Sequence, residues 1–236
     1  MSTIDVLAIA AHPDDVEVTC SGLLIRMADQ GYKTGILDLT RGEMGSKGSP
    51  EIRAEEAAIA ANIMGLSARE NARLADSRLT LSEETREVVA TFIRKMRPTL
   101  VIIPTHGQRH PDHNAAADIA YAGIFAAGLK KFPVTGDTHR PDKILYATSF
   151  QQKTPSFYID ITEQIDRKLQ AVAAYRSQFS EGLSKNLDPD EDMESYIRCW
   201  ARCYGSQCGV KYAEPYWIKE FQRIDDPIKD LQLKSI

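Results

Sequence analysis

Short apolar runs alternate with longer segments of helical periodicity through the first half of the chain. Runs of strand length lie at residues 4–10, 33–39, 71–74 and 100–103, the third being the weakest. The segments that predict helices lie at 16–30, 50–64, 82–96 and 113–129. Because strands separated by helices pair in parallel, the pattern predicts an α/β fold with a doubly wound, Rossmann-like, mostly parallel sheet.

The pattern changes after Pro133. Two strand-like runs, at 144–150 and 157–161, follow each other without a helix between them. The remaining predicted elements are a helix at 163–179, a polar loop at 180–192, a helix at 194–204 and a strand at 210–217. We predict one domain over residues 1–236, with a Rossmann-like core at 1–133 and a C-terminal helix and strand elaboration at 134–236.

Composition narrows the classes of function. The hydrophobic fraction of 43% and the charged fraction of 26% are ordinary for a globular protein, and a net charge of −4 leaves no basic surplus for nucleic acid. No basic region leads into a long apolar run at the N-terminus, and the most apolar stretch, 115–129, is too short to span a bilayer. We therefore expect a cytoplasmic protein that binds neither nucleic acid nor a membrane.

The four cysteines are too few and too clustered for a disulfide framework in a chain of this size. Cys199 and Cys203 lie four residues apart on a predicted helix, and Cys208 lacks a CxxC partner. We expect these three to be small buried residues rather than metal ligands.

Two histidine strings, at residues 12–15 and 110–113, follow the first and fourth predicted strands. They read His-Pro-Asp-Asp and His-Pro-Asp-His, and ligands of doubly wound sheets gather at such strand ends. Within them, His12, Asp15 and His113 supply the three nitrogen and oxygen ligands of a catalytic zinc site, which leaves a fourth position for water. We therefore predict one zinc ion per chain on these residues.

The neighbours of these ligands suggest catalytic roles. Asp14 is not needed as a ligand and is the natural base for a water acidified by the metal. His110 is placed to hydrogen-bond or protonate the tetrahedral intermediate or the departing amine, and Asp112 to orient His110. The alternative is that both strings are turn sequences, in which Asp15 and Asp112 cap helices. A Rossmann nucleotide site is excluded because the first turn lacks the glycine fingerprint and its acidic side chains would repel a pyrophosphate.

The two strings resemble those of the LmbE-like, or PIG-L, zinc deacetylases. Leu-Thr-Arg-Gly-Glu at 39–43, Arg-Ala-Glu-Glu-Ala at 53–57 and Ala-Tyr-Arg-Ser-Gln-Phe at 174–179 are also similar to segments of that family. The last of these, with Arg109 before the second string, resembles the branch of bacillithiol biosynthesis deacetylases, which hydrolyse N-acetylglucosaminyl malate to glucosaminyl malate and acetate. The resemblance implies the same zinc ligands, base and histidine roles as the spacing suggests.

Four residues are candidate substrate contacts, each with a structural alternative, and the resemblance itself implies this role for two of them, Arg53 and Tyr196. Arg53 matches an arginine that holds hydroxyl or carboxylate groups, but it could pair with Glu56 on its own helix. Arg109 contacts substrate or forms a structural ion pair, and Tyr196 swings over the substrate or packs in the fold. Glu43 lies at the pocket mouth or is a solvated loop acid.

The function that we predict is zinc-dependent deacetylation of an N-acetylglucosamine-type substrate, with N-acetylglucosaminyl malate as the leading candidate. Alternatives are a mycothiol-type conjugate, a chitooligosaccharide, an antibiotic precursor, or a sugar- or metal-binding protein without turnover. Relatives are commonly homo-oligomers and often hexamers, so the resemblance implies a homo-oligomer. Aromatic residues near the C-terminus either feed such an interface or complete the core: Tyr204, Tyr212, Tyr216 and Trp217.

Overall fold

The computed structural model describes residues 3–150, 153–179 and 192–226. The strands of these residues are β1 (Val6–Ala10), β2 (Thr34–Thr40), β3 (Ala68–Leu74), β4 (Leu100–Pro104), β5 (Lys143–Ala147), β6 (Phe157–Asp160) and β7 (Ala213–Trp217). The helices are α1 (Asp15–Thr19), α2 (Ser21–Asp29), α3 (Pro50–Met64), α4 (Glu83–Met96), α5 (Pro111–Ala127), α6 (Ile165–Ala173), α7 (Arg176–Phe179) and α8 (Met193–Cys208).

The strands form a single sheet in the order β3-β2-β1-β4-β5-β7-β6. All neighbouring pairs from β3 to β5 are parallel, whereas β7 runs antiparallel to both β5 and β6. The predicted α/β fold with a mostly parallel, Rossmann-like sheet is thus confirmed. The two strand runs that follow each other directly in sequence are not neighbours, because the last strand lies between them.

The central strand β1 has every residue buried, since helices cover both faces of the sheet. Leu7 and Ile9 pack in a cluster with α4 and α5, whereas Val6 and Ala8 pack on the opposite face with α2 and α3. A third apolar cluster joins α6 to α8. The continuous apolar runs of the first half are therefore the buried strands of a layered α/β fold.

The ends of helix α3 are determined by residues next to them in the sequence. Its N-cap Ser49 accepts a hydrogen bond from the backbone of Ile52 at 3.3 Å, and Pro50 fills the first turn, where no amide partner is needed. Gly65 ends the helix with a φ of 73°, a left-handed conformation that favours glycine. The predicted bounds of 50–64 are confirmed.

The helix predicted at 16–30 is wrong as one element, because the chain breaks at Cys20 into α1 and α2. The carboxylate of Glu214 accepts hydrogen bonds from the backbone of Gly22 at 2.8 Å and Leu23 at 2.9 Å, which satisfies the first amides of α2. A Cβ on Gly22 would lie 2.7 Å from this carboxylate, so glycine permits the close approach. The partner lies on β7, nearly two hundred residues away, beyond the range of local periodicity.

The second half differs in two further ways. The helix predicted at 163–179 is divided into α6 and α7, with the fully buried Tyr175 between them. Residues 180–191 of the predicted loop lie outside the described residues, and Asp192 is the N-cap of α8.

The expectation that three cysteines are buried is wrong, since Cys199, Cys203 and Cys208 are exposed on α8, while Cys20 is buried. The aromatic residues Tyr204, Tyr212 and Tyr216 are buried and complete the core. Within the described part of the chain, no helix is both long and apolar enough to cross a membrane.

Candidate metal centre and active site

The two histidine strings meet at the carboxyl edge of the sheet. Strands β1 and β4 are parallel neighbours, with Val6 opposite Leu100 and Ala8 opposite Ile102. The loops that follow them therefore emerge side by side, as expected for the ligand site of a doubly wound sheet.

His12, Asp15 and His113 each place a ligand atom within 4.8 Å of the other two. Oδ1 of Asp15 lies 3.0 Å from Nε2 of His113, and Oδ2 lies 3.4 Å from Nδ1 of His12. The carboxylate thus stands between two imidazoles. Two histidines and one carboxylate that converge in this way fit the donor set of a catalytic zinc site.

The orientation of His113 depends on Gln108. The amide nitrogen of Gln108 donates to the carbonyl of Thr105 at 3.0 Å, and its Oε1 lies 2.9 Å from Nδ1 of His113. This network assigns a proton to Nδ1, so Nε2, which faces Asp15, is the nitrogen available to a metal ion. A backing hydrogen bond of this kind is typical of metal-binding histidines.

The charges of the cluster favour an ionised carboxylate. Burial raises the pKa of Asp15, but the charge and hydrogen bond of His113, together with His12, outweigh burial and hold that pKa well below its usual range. Burial lowers the pKa of His12, yet Asp15, Asp76 and Asp14 raise it to about 9. Asp15 likewise raises the pKa of His113 against the effect of burial. A metal ion bound here would replace these protons.

Asp14 is the N-cap of α1 and has a φ of 120°, a strained region for a residue other than glycine. Its Oδ2 accepts a hydrogen bond from Nη2 of Arg53 at 2.8 Å, and Nη1 of Arg53 lies 3.3 Å from the carbonyl oxygen of Gly42. Burial raises the pKa of Asp14 to about 7, an effect that Arg53 partly offsets and that Asp15 and Glu17 reinforce. This carboxylate can therefore both hold and release a proton near neutral pH.

Arg53 does not pair with Glu56, the alternative that the helix spacing allowed. Glu56 instead accepts hydrogen bonds from the backbone and hydroxyl of Ser177, at 2.7 and 2.6 Å. The guanidinium of Arg53 is directed at the site, and its Nε is buried without a hydrogen-bond partner in the described residues.

His110 is the N-cap of α5, and its Nδ1 accepts a hydrogen bond from the backbone of Asp112 at 3.2 Å. Its ring stacks on His113 with a centroid distance of 4.9 Å. Burial, followed by the charges of His12 and His113, lowers the pKa of His110. Since Nδ1 is an acceptor, the proton of the neutral ring is assigned to Nε2.

The carboxylate of Asp112 is buried, and its Oδ2 accepts a hydrogen bond from the backbone of Ser77 at 2.7 Å. The same oxygen lies 3.6 Å from Nε2 of His12. The hydrogen bond that joins Asp112 to His110 runs from its backbone rather than from its carboxylate. Neither Asp15 nor Asp112 is an N-cap, since the caps are Asp14 and His110.

Comparison with known proteins decides the family. The family model for PIG-L, described as GlcNAc-PI de-N-acetylase, matches residues 7–124, which include both histidine strings. A diacetylchitobiose deacetylase of Thermococcus kodakarensis is 31% identical over 225 residues, covering 89% of this chain and 80% of the relative. The chain belongs to the PIG-L, or LmbE-like, family.

Two further similarities cover more than nine-tenths of this chain. A probable N-acetyl-alpha-D-glucosaminyl L-malate deacetylase 2 of Bacillus anthracis is 26% identical, with 92% of this chain and 96% of the relative covered. The crystal structure of a conserved protein from Thermus thermophilus superposes with a TM-score of 0.87 at 40% identity, covering 94% of this chain and 98% of that one. The relatives from Thermococcus kodakarensis and Bacillus anthracis are both named as deacetylases.

Two of the predicted substrate residues, Arg109 and Glu43, differ in their contacts with the rest of the protein. Arg109 is exposed beside His110 and forms no ion pair or side-chain hydrogen bond with the described residues. Glu43 accepts hydrogen bonds from the backbone of Asp76 at 3.0 Å and of Arg41 at 3.2 Å, so it braces the loops around the site.

Tyr196 stacks on Phe150, which follows β5, with a centroid distance of 5.2 Å. Trp200 packs edge-on against both rings. In the described part of the chain, no ring contact or hydrogen bond joins Tyr196 to the histidine strings. Its observed contacts are thus those of packing.

Asp76, which lies in the loop after β3, was not among the predicted site residues. Its Oδ1 is 3.0 Å from Nε2 of His12, and its Oδ2 accepts a hydrogen bond from the backbone of Met44 at 2.8 Å. An acidic residue just past the carboxyl end of a parallel strand was an available signal. It carried little weight because β3 has the weakest apolar pattern and Asp76 belongs to neither string.

Proposed function

We propose that this protein is a zinc-dependent hydrolase that removes the acetyl group from an N-acetylglucosamine-type substrate. The observation that carries the proposal is the convergence of His12, Asp15 and His113 with the carboxylate of Asp14 beside them. Membership of the PIG-L family supports an enzyme that acts on amides. A bound zinc ion would acidify a water molecule and polarise the acetyl carbonyl.

Asp14 acts as the base in this proposal. It removes a proton from the water as the water oxygen adds to the acetyl carbonyl carbon. Arg53 holds the carboxylate in place through the 2.8 Å hydrogen bond. A pKa of about 7 lets Asp14 pass the proton on to the departing amine, so that cleavage of the C–N bond yields acetate and a free amine.

His110 stabilises the oxygen of the tetrahedral intermediate in this proposal. The backbone of Asp112 donates to Nδ1, so Nε2 carries the proton that the ring can donate. The stacking contact with His113 holds the ring next to the metal ligands. Asp112 contributes through this backbone contact and by fixing the start of α5.

The substrate that we propose is N-acetylglucosaminyl malate, as in bacillithiol biosynthesis. The relative from Bacillus anthracis, which matches along nearly its whole length, supports this choice. Arg109, exposed beside His110, offers a guanidinium to a malate carboxylate. A second candidate is diacetylchitobiose, which the higher identity of 31% to the Thermococcus relative favours.

The test is release of acetate by the purified, zinc-loaded protein from each of these compounds and from free N-acetylglucosamine. Turnover of the malate conjugate that a chelator abolishes and added zinc restores supports the full proposal. Preference for diacetylchitobiose supports the deacetylase with the second substrate. Chelator-resistant turnover contradicts the role of the metal.

A further inference from the structure

The two ring nitrogens of His12 face different carboxylates. Nδ1 lies 3.4 Å from Oδ2 of Asp15, whereas Nε2 lies 3.0 Å from Oδ1 of Asp76 and 3.6 Å from Oδ2 of Asp112. His12 therefore belongs to two possible donor sets, one with Asp15 and His113 and the other with His110 and Asp112. A neutral imidazole can offer a lone pair through only one nitrogen, so the partner of the other nitrogen decides between the sets.

We propose that Asp76 is a positioning residue that accepts the Nε2 proton of His12 and thereby directs Nδ1 towards a metal ion shared with Asp15 and His113. The inference rests on the metal site of the proposed function. The distance of 3.0 Å is that of a hydrogen bond, whereas the 3.6 Å to Asp112 is too long for one. Asp76 therefore selects the first donor set.

Asp76 is itself held rigidly, as a positioning residue must be. Its side chain is buried, with only 6% of the residue exposed, and its Oδ2 accepts the backbone hydrogen of Met44. The backbone nitrogen of Asp76 donates to Oε1 of Glu43 at 3.0 Å. Both carboxylate oxygens thus have partners within the protein, which leaves Asp76 poorly placed for an independent substrate contact.

Ser77, the residue after Asp76, makes a hydrogen bond to the second histidine string. The backbone nitrogen of Ser77 donates to Oδ2 of Asp112 at 2.7 Å. Ser77 has a φ of 61°, which is a left-handed conformation. The Asp76 carboxylate therefore faces His12 while the Ser77 amide faces Asp112. Asp76 and Ser77 thus contact both histidine strings, the first through His12 and the second through Asp112 at the start of α5.

The test compares zinc affinity among three variants of the full-length protein by competition with a chromophoric chelator. We expect Asp76→Ala to raise the zinc dissociation constant by about 10- to 100-fold, the usual loss when the partner of a metal-binding histidine is removed. Asp76→Asn should give a smaller rise, because an amide oxygen still accepts the Nε2 proton. The control is Glu70→Ala, an acidic residue of β3 whose partner is the partly exposed Lys95, and it should leave the constant unchanged.

Nitrogen-15 spectra of the zinc-loaded protein report the protonation of His12 directly, and a loss of stability alone would not change this signal. The Nε2 proton of His12 should give a slowly exchanging signal in the wild type and in Asp76→Asn, and it should disappear in Asp76→Ala. If Asp76→Ala fails to fold, a threefold or greater rise in the zinc dissociation constant of Asp76→Asn carries the test.

A dissociation constant for Asp76→Ala within twofold of the wild-type value overturns the inference. Retention of wild-type zinc affinity by Asp15→Ala does so as well, because the metal would then use the other nitrogen of His12. These measurements need no substrate, so they stand even if neither candidate sugar is deacetylated. Failure of the positioning role and failure of the proposed reaction are therefore distinguishable.

Discussion

At the scale of single residues, the site depends on neighbours that give chemically similar groups different properties. Asp14 and Asp15 are adjacent in sequence, yet burial raises the pKa of the first to about 7, while two histidines hold that of the second well below its usual range. Opposed shifts of this kind separate a base from a metal ligand. Two predictions test these assignments.

Asp14→Asn should retain the metal and lose most turnover, because the water then has no base. We expect kcat to fall by about 10²- to 10⁴-fold, the usual contribution of a general base. The measurement pairs steady-state kinetics with metal analysis of the same preparation. Activity at the wild-type level would remove Asp14 from the mechanism.

His113→Ala should lower the metal content, because Asp15 and His12 then remain as only two of the three ligands. The matched control is His106→Ala, in which the exposed histidine of the same loop loses only a surface contact with Asp118. Metal analysis after dialysis against buffer with trace zinc distinguishes the two variants. Equal stoichiometry in both would contradict the assignment of His113 as a ligand.

At the scale of elements, the start of α2 depends on a carboxylate from the other end of the chain. Glu214 is buried and accepts hydrogen bonds from two amides of α2, from Lys168 at 2.7 Å and from the hydroxyl of Tyr216 at 2.7 Å. A single side chain thus joins α2, α6 and β7. The arrangement makes the ion pair with Lys168 a structural element whose removal should be costly.

Lys168→Met should destabilise the fold by about 3–5 kcal/mol, because it leaves a buried carboxylate without its countercharge. Urea unfolding followed by circular dichroism measures the change in the free energy of unfolding. Arg198→Met serves as the control, since its partners Asp166 and Glu194 are exposed and such pairs contribute about 1 kcal/mol or less. Equal losses in the two variants would contradict the structural role of the buried pair.

At the scale of the whole molecule, the proposed metal ligands come from two distant parts of the chain. The loop after β1 and the start of α1 supply His12 and Asp15, and the first turn of α5 supplies His113. A metal that binds only the folded chain stabilises it by about 2.7 kcal/mol when its concentration is 100 times the dissociation constant. We therefore expect a chelator to lower the melting temperature and added zinc to restore it. His113→Ala should show a much smaller shift, and an equal shift in that variant would contradict the link to this site.

The homo-oligomer that the family resemblance implies stays a prediction. Of the four aromatic residues considered for its interface, Tyr204, Tyr212 and Tyr216 are buried within the chain, whereas Trp217 is partly exposed. Light scattering coupled to size-exclusion chromatography measures the subunit count directly.

Local patterns in the sequence were sufficient to predict the fold class and the position of the candidate site in the fold. Helix α3 matched its predicted bounds because Ser49, Pro50 and Gly65 act within a few residues of the element that they delimit. The histidine strings could be placed at one edge because parallel strands separated by helices bring their carboxyl ends together. These are short-range signals or general rules of topology, which need no knowledge of particular long-range contacts.

Contacts between distant segments determined the rest. The position of β7 between β5 and β6, the break at Cys20 under the carboxylate of Glu214, and the hydrogen bond from His12 to Asp76 each join segments that are far apart in the sequence. Periodicity reports which face of an element is apolar, but it does not report which distant polar group meets an unpaired amide or imidazole. The meeting of the two histidine strings could therefore be predicted from the chain, while Asp76 and the other partners that orient their side chains emerged only once the chain was folded.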